Sequence, residues 1–280
     1  MVGRGVCGVG SERQSICGRV VASWKRVCSI GSQSQQGCSS AGCLMIQDWI
    51  LQGIGPLTTK QSDYLARRGL DSFLIEGLGL GSWVPPSTPS PDNGFNKRYG
   101  SRGQALEGHL AIPLRCPLGD LVGLDTREID TKRITGYRLP KSKWVPVWIA
   151  TPNATNSLWN GGRAWLVEGL FDLAALQRVV PMGDAIFATQ RAALTYTQAQ
   201  HLSRVGKGGV IIAYDNDETG KRGTVGWTDE NTGKRYRGAS GLLSSLGVSE
   251  IQVCKYIGKD PGEVWLKHGD AGLKSNFGRY

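Results

Sequence analysis

The sequence predicts an α/β protein. A largely parallel sheet flanked by helices is expected over residues 158–280, preceded by a smaller, basic, mixed α+β segment over 48–157. Three observations predict it. Beyond residue 162, short apolar runs alternate with longer helix-like stretches, the pattern of parallel strands joined by crossover helices. Two of those runs, Trp165-Leu166-Val167 and Val210-Ile211-Ile212-Ala213-Tyr214, lead directly into the carboxylates Glu168 and Asp215. Residues 108–149 instead show short strand-like runs broken by turns such as Gly119-Asp120, which reads as a small mixed sheet.

Residues 1–47 are rich in Gly, Ser, Gln and Cys without clear periodicity, so an irregular leader is expected there. Thr58-Thr59 is placed to cap a helix through Tyr64, Leu65 and Arg68 that stops at Gly69. Val84–Asn93 carries four prolines and reads as a loop. Asn153–Gly162 is a polar connection ending in glycine, and the boundary between the two segments is placed at 157/158. Then follow strand 165–168, helix 170–179, a strand near 185–188, helix 195–205, strand 210–214, a helix after 239 and strand 250–254.

A chain of 280 residues with 40% hydrophobic and 20% charged content buries a sizeable core. Its formal net charge of +10 favours a polyanionic partner. No apolar run reaches the length of a membrane span and the N-terminus lacks a signal peptide's apolar core, so a cytoplasmic location without a membrane partner is expected. Seven cysteines, an odd number, argue for reduced thiols. Cys38 and Cys43 are the nearest pair, their spacing fits zinc poorly, and no structural zinc is expected.

The chemistry lies in three acidic signatures: Glu168-Gly169-Leu170-Phe171-Asp172, Asp215-Asn216-Asp217-Glu218-Thr219-Gly220 and Lys259-Asp260-Pro261-Gly262-Glu263. Ligands of an open α/β sheet bind beyond the carboxyl ends of its strands, so Glu168, Asp215 and Asp217 are expected at one rim. Gathered carboxylates repel one another unless a hard cation lies between them, which points to magnesium or manganese and phosphate chemistry. Asp215 and Asp217, two apart on an extended strand end, are expected to point to one side. An EF-hand does not fit, because Gly226 stands where that loop needs its glutamate. Between Phe95 and Val145 there are ten Lys/Arg against five acids, interleaved with Tyr99, Tyr137 and Trp144, which either stack on bases or belong to the core.

These signatures, in this order, resemble the TOPRIM domain of DnaG-type bacterial and phage primases. The resemblance extends upstream through Tyr64-Leu65-Ala66-Arg67-Arg68-Gly69-Leu70, Gly77-Leu78-Gly79, the Gly108–Arg115 run, the Gly119–Leu124 run with Arg127, and Lys143-Trp144, covering roughly residues 50–275. It implies an RNA-polymerase-type nucleotidyltransferase that copies single-stranded DNA into short RNA primers from NTPs. Glu168, Asp215 and Asp217 are its implied catalytic acids. Together with Asp172 and Asp260 they are also the implied ligands of two Mg²⁺ or Mn²⁺ ions. Arg115, Arg127, Lys143, Lys221 and Lys259 are the expected nucleic-acid and NTP contacts. Lys259 stands where many of these primases carry another acid.

The small size and the lack of a GxxxxGK[ST] loop suggest a phage or other mobile element whose replicative helicase is encoded separately. A TOPRIM nuclease and a non-catalytic DNA-binding module are the alternatives. A topoisomerase would need a strand-cleaving tyrosine domain for which the chain is too short. One departure stands out: Gly223–Gly238 intervenes after the second acidic signature, and its alternation around Asn231-Thr232-Gly233 predicts an inserted β-hairpin whose basic return strand grips nucleic acid.

Overall fold

Strands β3 (Leu110–Arg115) and β4 (Leu121–Arg127) pair antiparallel from Leu110 opposite Arg127, and they form the centre of the first sheet. The computed structural model describes residues 40–117, 119–139, 146–191 and 193–280. β1 (Ile54–Gly55), β2 (Gly81–Trp83), β3, β4 and β5 (Ile134–Arg138) follow one another in an all-antiparallel meander. Four α-helices accompany this sheet among the described residues. Helix α1 (Ser40–Gln52) buries Ile46, Trp49 and Ile50 against Trp83, Phe95, Leu124 and Tyr137. Burying each such side chain contributes about 1.5–3 kcal/mol, which is why the helix forms inside the segment expected to be irregular up to residue 47. The remainder of that leader lies outside the described residues.

Helix α2 (Thr59–Arg67) starts where the sequence predicts. The Thr58 side chain accepts from the Gln61 N–H, and the Gln61 side chain accepts from the Thr58 N–H in return. α3 (Ser72–Leu78) ends on Gly79 in the left-handed conformation, and α4 (Asn93–Tyr99) follows the proline-rich loop. Tyr99 and Tyr137 are buried, the Tyr99 hydroxyl donating to the Gly136 carbonyl, so both are core aromatics rather than stacking platforms.

The second sheet has the order β12-β9-β7-β8-β6. β7 (Ala164–Val167), β8 (Ala185–Ala188), β9 (Val210–Ile212) and β12 (Ile251–Val253) are mutually parallel, and the short β6 (Ile149–Ala150) adds an antiparallel edge. The two-residue period of each strand divides its side chains between two helical layers. Trp165 and Val167 of β7, Ile186 of β8 and Ile211 of β9 join one core with helices α6 (Leu170–Leu176) and α10 (Pro261–Phe277). Ala164, Leu166, Phe187 and Ile212 join another, with α5 (Ala154–Trp159), α7 (Tyr196–Val205) and α9 (Ala239–Ser245).

Leu110, Ile112 and Leu114 of the first sheet belong to the same apolar cluster as Trp165 and Leu173, so packing runs unbroken across residues 157/158. Residues 44–280 form one compact unit. Several elements were not anticipated, among them α1, helix α8 (Glu218–Val225), which begins directly after Asp217, and α10, capped by Asp260; α5 likewise stands inside the Asn153–Gly162 stretch that reads as a connection. The anticipated hairpin is present as β10 (Gly226–Thr228) and β11 (Arg235–Arg237).

Candidate active site

β7 and β9 are neighbours in the middle of the sheet, so the loops leaving their carboxyl ends are adjacent. Glu168 is the first residue after β7, and its carboxylate accepts the Asp215 N–H at 3.2 Å. Asp172 lies in the first turn of α6 and accepts the Gly262 N–H at 3.1 Å. Asp260 caps α10 by accepting the Glu263 N–H at 2.6 Å. The third loop is tied to the second by Tyr256, whose hydroxyl donates to the Tyr214 carbonyl at 2.7 Å, and by the Asn216 N–H, which donates to the Lys259 carbonyl at 2.6 Å.

The result is a group of three acids. One carboxylate oxygen from each of Asp172, Asp215 and Asp260 lies within 4.8 Å of the others. Glu168 adjoins this trio through the Asp215 backbone. Asp217, expected beside Asp215, is not a member of this trio. β9 ends at Ile212 and the chain bends at Asn216 and Asp217 ahead of α8, so Asp217, still extended, becomes the N-cap, accepting the Gly220 N–H at 3.0 Å. Its other oxygen faces the Lys259 ammonium at 3.6 Å.

Two glycines make the approach possible. A side-chain carbon at Gly220 would overlap the backbone carbonyl oxygen of Asp215, so α8 seats against that loop only with glycine there. At Gly262 it would stand 3.3 Å from carboxylate oxygens of both Asp172 and Asp260.

The electrostatics are those of crowded acids. Burial and then the Asp260 and Asp215 charges push the Asp172 carboxyl well above the usual carboxylate range. Burial, then Asp215, raises Glu168 to about 7, and burial, then Asp260, raises Asp215 to about 6. Asp217 moves the other way, held down chiefly by the Gly220 N–H. A carboxyl raised in the folded state binds its proton more tightly there than in the unfolded chain. Its stabilising effect is therefore present at pH below its ordinary value and is lost as pH rises through the folded one. Asp172→Asn, which mimics the protonated acid, is expected to raise the melting temperature of the metal-free protein at pH 8. It should change it little near pH 4. Thermal unfolding in a chelator at both values checks this, and an equal shift at both would contradict it.

The acids fit a hard divalent cation: oxygen donors only, mutually repelling, and carried on loops fixed by backbone hydrogen bonds. Beside them stands a basic pair. The Arg68 and Arg127 guanidiniums lie 4.3 and 5.1 Å from the ring centre of Phe171, the residue before Asp172. Neither forms an ion pair among the described residues, and the Nε atoms of both lack a hydrogen-bond partner. Burial, the largest cause, lowers Arg127 from its ordinary value, and the neighbouring Arg68 charge adds to it. Two guanidiniums held together with no ion-pairing acid among the described residues are chemically suited to an anion.

Of the other anticipated basic residues, Lys221 lines a cavity with Asp215, Asn216 and Tyr256, while Lys259 is paired to Asp217. Arg115 donates to the Gly119 carbonyl at 2.8 Å and so serves its own β-turn. Lys143 and Trp144 lie outside the described residues. Arg68 stands in the Tyr64–Leu70 motif, which does not by itself mark it as a site residue. The signal available was its doublet with Arg67 ahead of Gly69, but its aromatic partner is more than 100 residues away and only the fold joins them.

Residues 165–241 match the Toprim-like family model. The chain is 27% identical over 239 residues to a DNA primase of Deinococcus radiodurans, an alignment covering 76% of this chain and 38% of that protein. It thus spans well under half the length of that relative. Among solved structures, the RNA polymerase domain of Mycobacterium tuberculosis primase DnaG in complex with double-stranded DNA superposes with a TM-score of 0.59 at 20% identity, covering 87% of this chain and 82% of that one. A DnaG primase catalytic domain bound to single-stranded DNA gives 0.57 at 17%, covering 85% and 78%. The zinc-binding and RNA polymerase domains of the Aquifex aeolicus primase give 0.52 at 22%, covering 84% of this chain and 58% of that one. The fold is that of DnaG-type primase catalytic cores, and the acidic loops after β7 and β9 lie within the Toprim-like segment.

Proposed function

We propose that this chain, built on the DnaG-type primase fold, synthesises short RNA primers on single-stranded DNA by nucleotidyl transfer. The observation that carries the reading is the convergence of Asp172, Asp215 and Asp260 within 4.8 Å, near two guanidiniums that form no ion pair among the described residues. An acid trio alone suits many phosphate chemistries. The adjoining antiparallel sheet, with Arg127 at the end of β4, favours a polymerase over an isolated Toprim hydrolase.

Asp172, Asp215 and Asp260, with Glu168 and Asp217 at the rim, are assigned to hold Mg²⁺ or Mn²⁺, as one ion or two. Bound there, the cation supplies neutralisation of the negative charge that builds up at the α-phosphate. The reacting 3′-hydroxyl attacks that phosphorus and pyrophosphate leaves. Glu168, whose carboxyl burial and then the Asp215 charge raise in the metal-free chain, has an oxygen free beside the trio and is suited to take the hydroxyl's proton there. Arg68 and Arg127 hold the phosphates, with their planes pre-set by the Phe171 ring. Lys221 and Lys259 add positive charge near Asp215.

Removal of either guanidinium forfeits a charge-assisted hydrogen bond of about 1.5–3 kcal/mol. Arg127→Ala and Arg68→Ala are therefore each expected to raise KM for NTP or template by roughly 10- to 150-fold, with kcat less affected. Steady-state kinetics varying each substrate in turn checks this, and a pure kcat loss would contradict phosphate holding. The reading as a whole is tested with end-labelled single-stranded DNA of mixed sequence, incubated with Mg²⁺ or Mn²⁺ and NTPs. Intact template with new short RNA supports primer synthesis. Metal-dependent shortening of the labelled strand without RNA would make the chain a nuclease.

A further inference from the structure

The hairpin of β10 and β11 is built as a ribbon with two different faces. Trp227 pairs across the strands with Tyr236, while Gly226 opposite Arg237 and Thr228 opposite Arg235 occupy the other face. The Trp227 and Tyr236 rings stack 4.6 Å apart at an interplanar angle of 13°, yet remain 39% and 38% exposed. Arg222 lies 5.7 Å from the Trp227 ring centre and Lys234 5.1 Å from that of Tyr236. Arg235, Tyr236, Arg237, Val225 and Gly241 line a concavity beside the ribbon, and neither arginine forms an ion pair among the described residues. Val225 also lines the cavity that contains Asp215 and Lys221, so the two spaces adjoin at that residue of α8.

The ribbon is held in place. Gly226 has a positive φ of 93°, the Ser240 hydroxyl donates to the Thr224 carbonyl at 2.8 Å, and the Asp229 carboxylate accepts the Asn231 and Thr232 N–H groups at the tip. A preset platform of exposed rings and unpaired cations matches an unpaired nucleic-acid strand, whose phosphates meet arginines and whose free bases meet ring faces.

We infer that the β10–β11 hairpin binds the single-stranded DNA template as it passes the acidic cluster, Arg235, Arg237 and Lys221 taking backbone phosphates and the Trp227–Tyr236 pair stacking an unpaired base. The inference rests on the primer-synthesis reading in one respect: a new RNA primer is base-paired at the site, so the strand with free bases there is the template.

The test is fluorescence anisotropy of the full chain with a labelled 20-nucleotide mixed-sequence DNA and its RNA counterpart. It is run in a chelator without NTPs, across a salt series. Arg235→Glu/Arg237→Glu is expected to weaken DNA binding at least roughly tenfold and to flatten the plot of log K against log salt by about 1.4, the value for two lost single-strand phosphate contacts. Trp227→Ala/Tyr236→Ala is expected to weaken it about 5- to 150-fold with the slope unchanged. Arg235→Gln/Arg237→Gln, which keeps size and polarity, should fall between wild type and the charge reversal. DNA affinities and slopes equal to wild type in all three variants would overturn the inference, as would a loss seen with RNA alone. Primer synthesis by the wild-type chain is measured separately. Primers made while all variants bind DNA normally would sink the hairpin alone, and lost DNA binding in a chain that makes no primer would sink only the primer reading.

Discussion

Asp215→Asn is expected to lower primer synthesis by at least about 10³-fold while the protein stays folded. Asp215 is the member of the acid trio that also touches Glu168, through its backbone N–H. Asparagine keeps the shape and removes the charge. Cation stabilisation of a transferring phosphoryl group is worth several kcal/mol, and about 1.4 kcal/mol is a factor of ten, so losing the charge that anchors it removes about three decades. The fold should not suffer, because burial and the Asp260 charge already push this carboxyl up to about 6. Asp217→Asn is the informative contrast. Asparagine is as good an N-cap as aspartate, and Asp217 stands outside the trio, paired with Lys259. Its effect should be at least about tenfold smaller than that of Asp215→Asn. Metal-dependent incorporation of labelled NTP, beside a melting curve for each variant, checks both. Equal losses at the two positions would return the site to the arrangement the sequence alone suggested.

Gly220→Ala is expected to damage both stability and activity. The added carbon would overlap the Asp215 carbonyl oxygen, backbone against backbone, so no side-chain rotation relieves it. Overpacking of this kind costs about 1–3 kcal/mol, which for a chain of this size lowers the melting temperature by about 2–12 °C. Relief comes only by moving α8 away from the Asp215 loop, and displacing a reacting group by about 1 Å can cost on the order of 10²-fold in rate. The variant should therefore melt lower and lose at least that much primer synthesis even at temperatures where it is folded. Wild-type melting together with wild-type activity would show that the loop and helix are less tightly coupled than their spacing indicates.

The parts of the fold legible in the sequence were those set by local pattern. β8 was read at its observed bounds, and β7 and β9 to within one or two residues, because fully buried parallel strands show as short apolar runs between turns. Thr58 and Gly69 marked the ends of α2 because capping is a local matter. Helix α8 was missed because its residues, Glu218–Val225, include two glycines and two threonines, poor helix formers in isolation. It forms because Asp217 caps it and because Gly220 and Gly223 lie buried. α1 was missed because its start lies in a polar stretch and only tertiary burial of Trp49 and Ile50 decides it.

At the site, residue identities were readable and their grouping was not. Four of the five acids named from the sequence lie on the three loops, and Asp172 lies in the first turn of the helix that follows the first of them. Which of them meet depends on the turn of the chain after Tyr214 and on Tyr256 joining two loops. Arg68 and Arg127 become neighbours only through the Phe171 ring.

The most direct test of the account is a priming reaction with the purified chain, unlabelled single-stranded DNA of mixed sequence, labelled NTPs and Mg²⁺ or Mn²⁺, run beside Asp172→Asn, Asp215→Asn and Asp260→Asn. The account predicts short RNA products from the wild type that require the cation and the template and that vanish in each of the three variants. RNA products that persist when any one of these acids is neutralised, or no RNA at all under conditions where the chain binds DNA tightly, would contradict it.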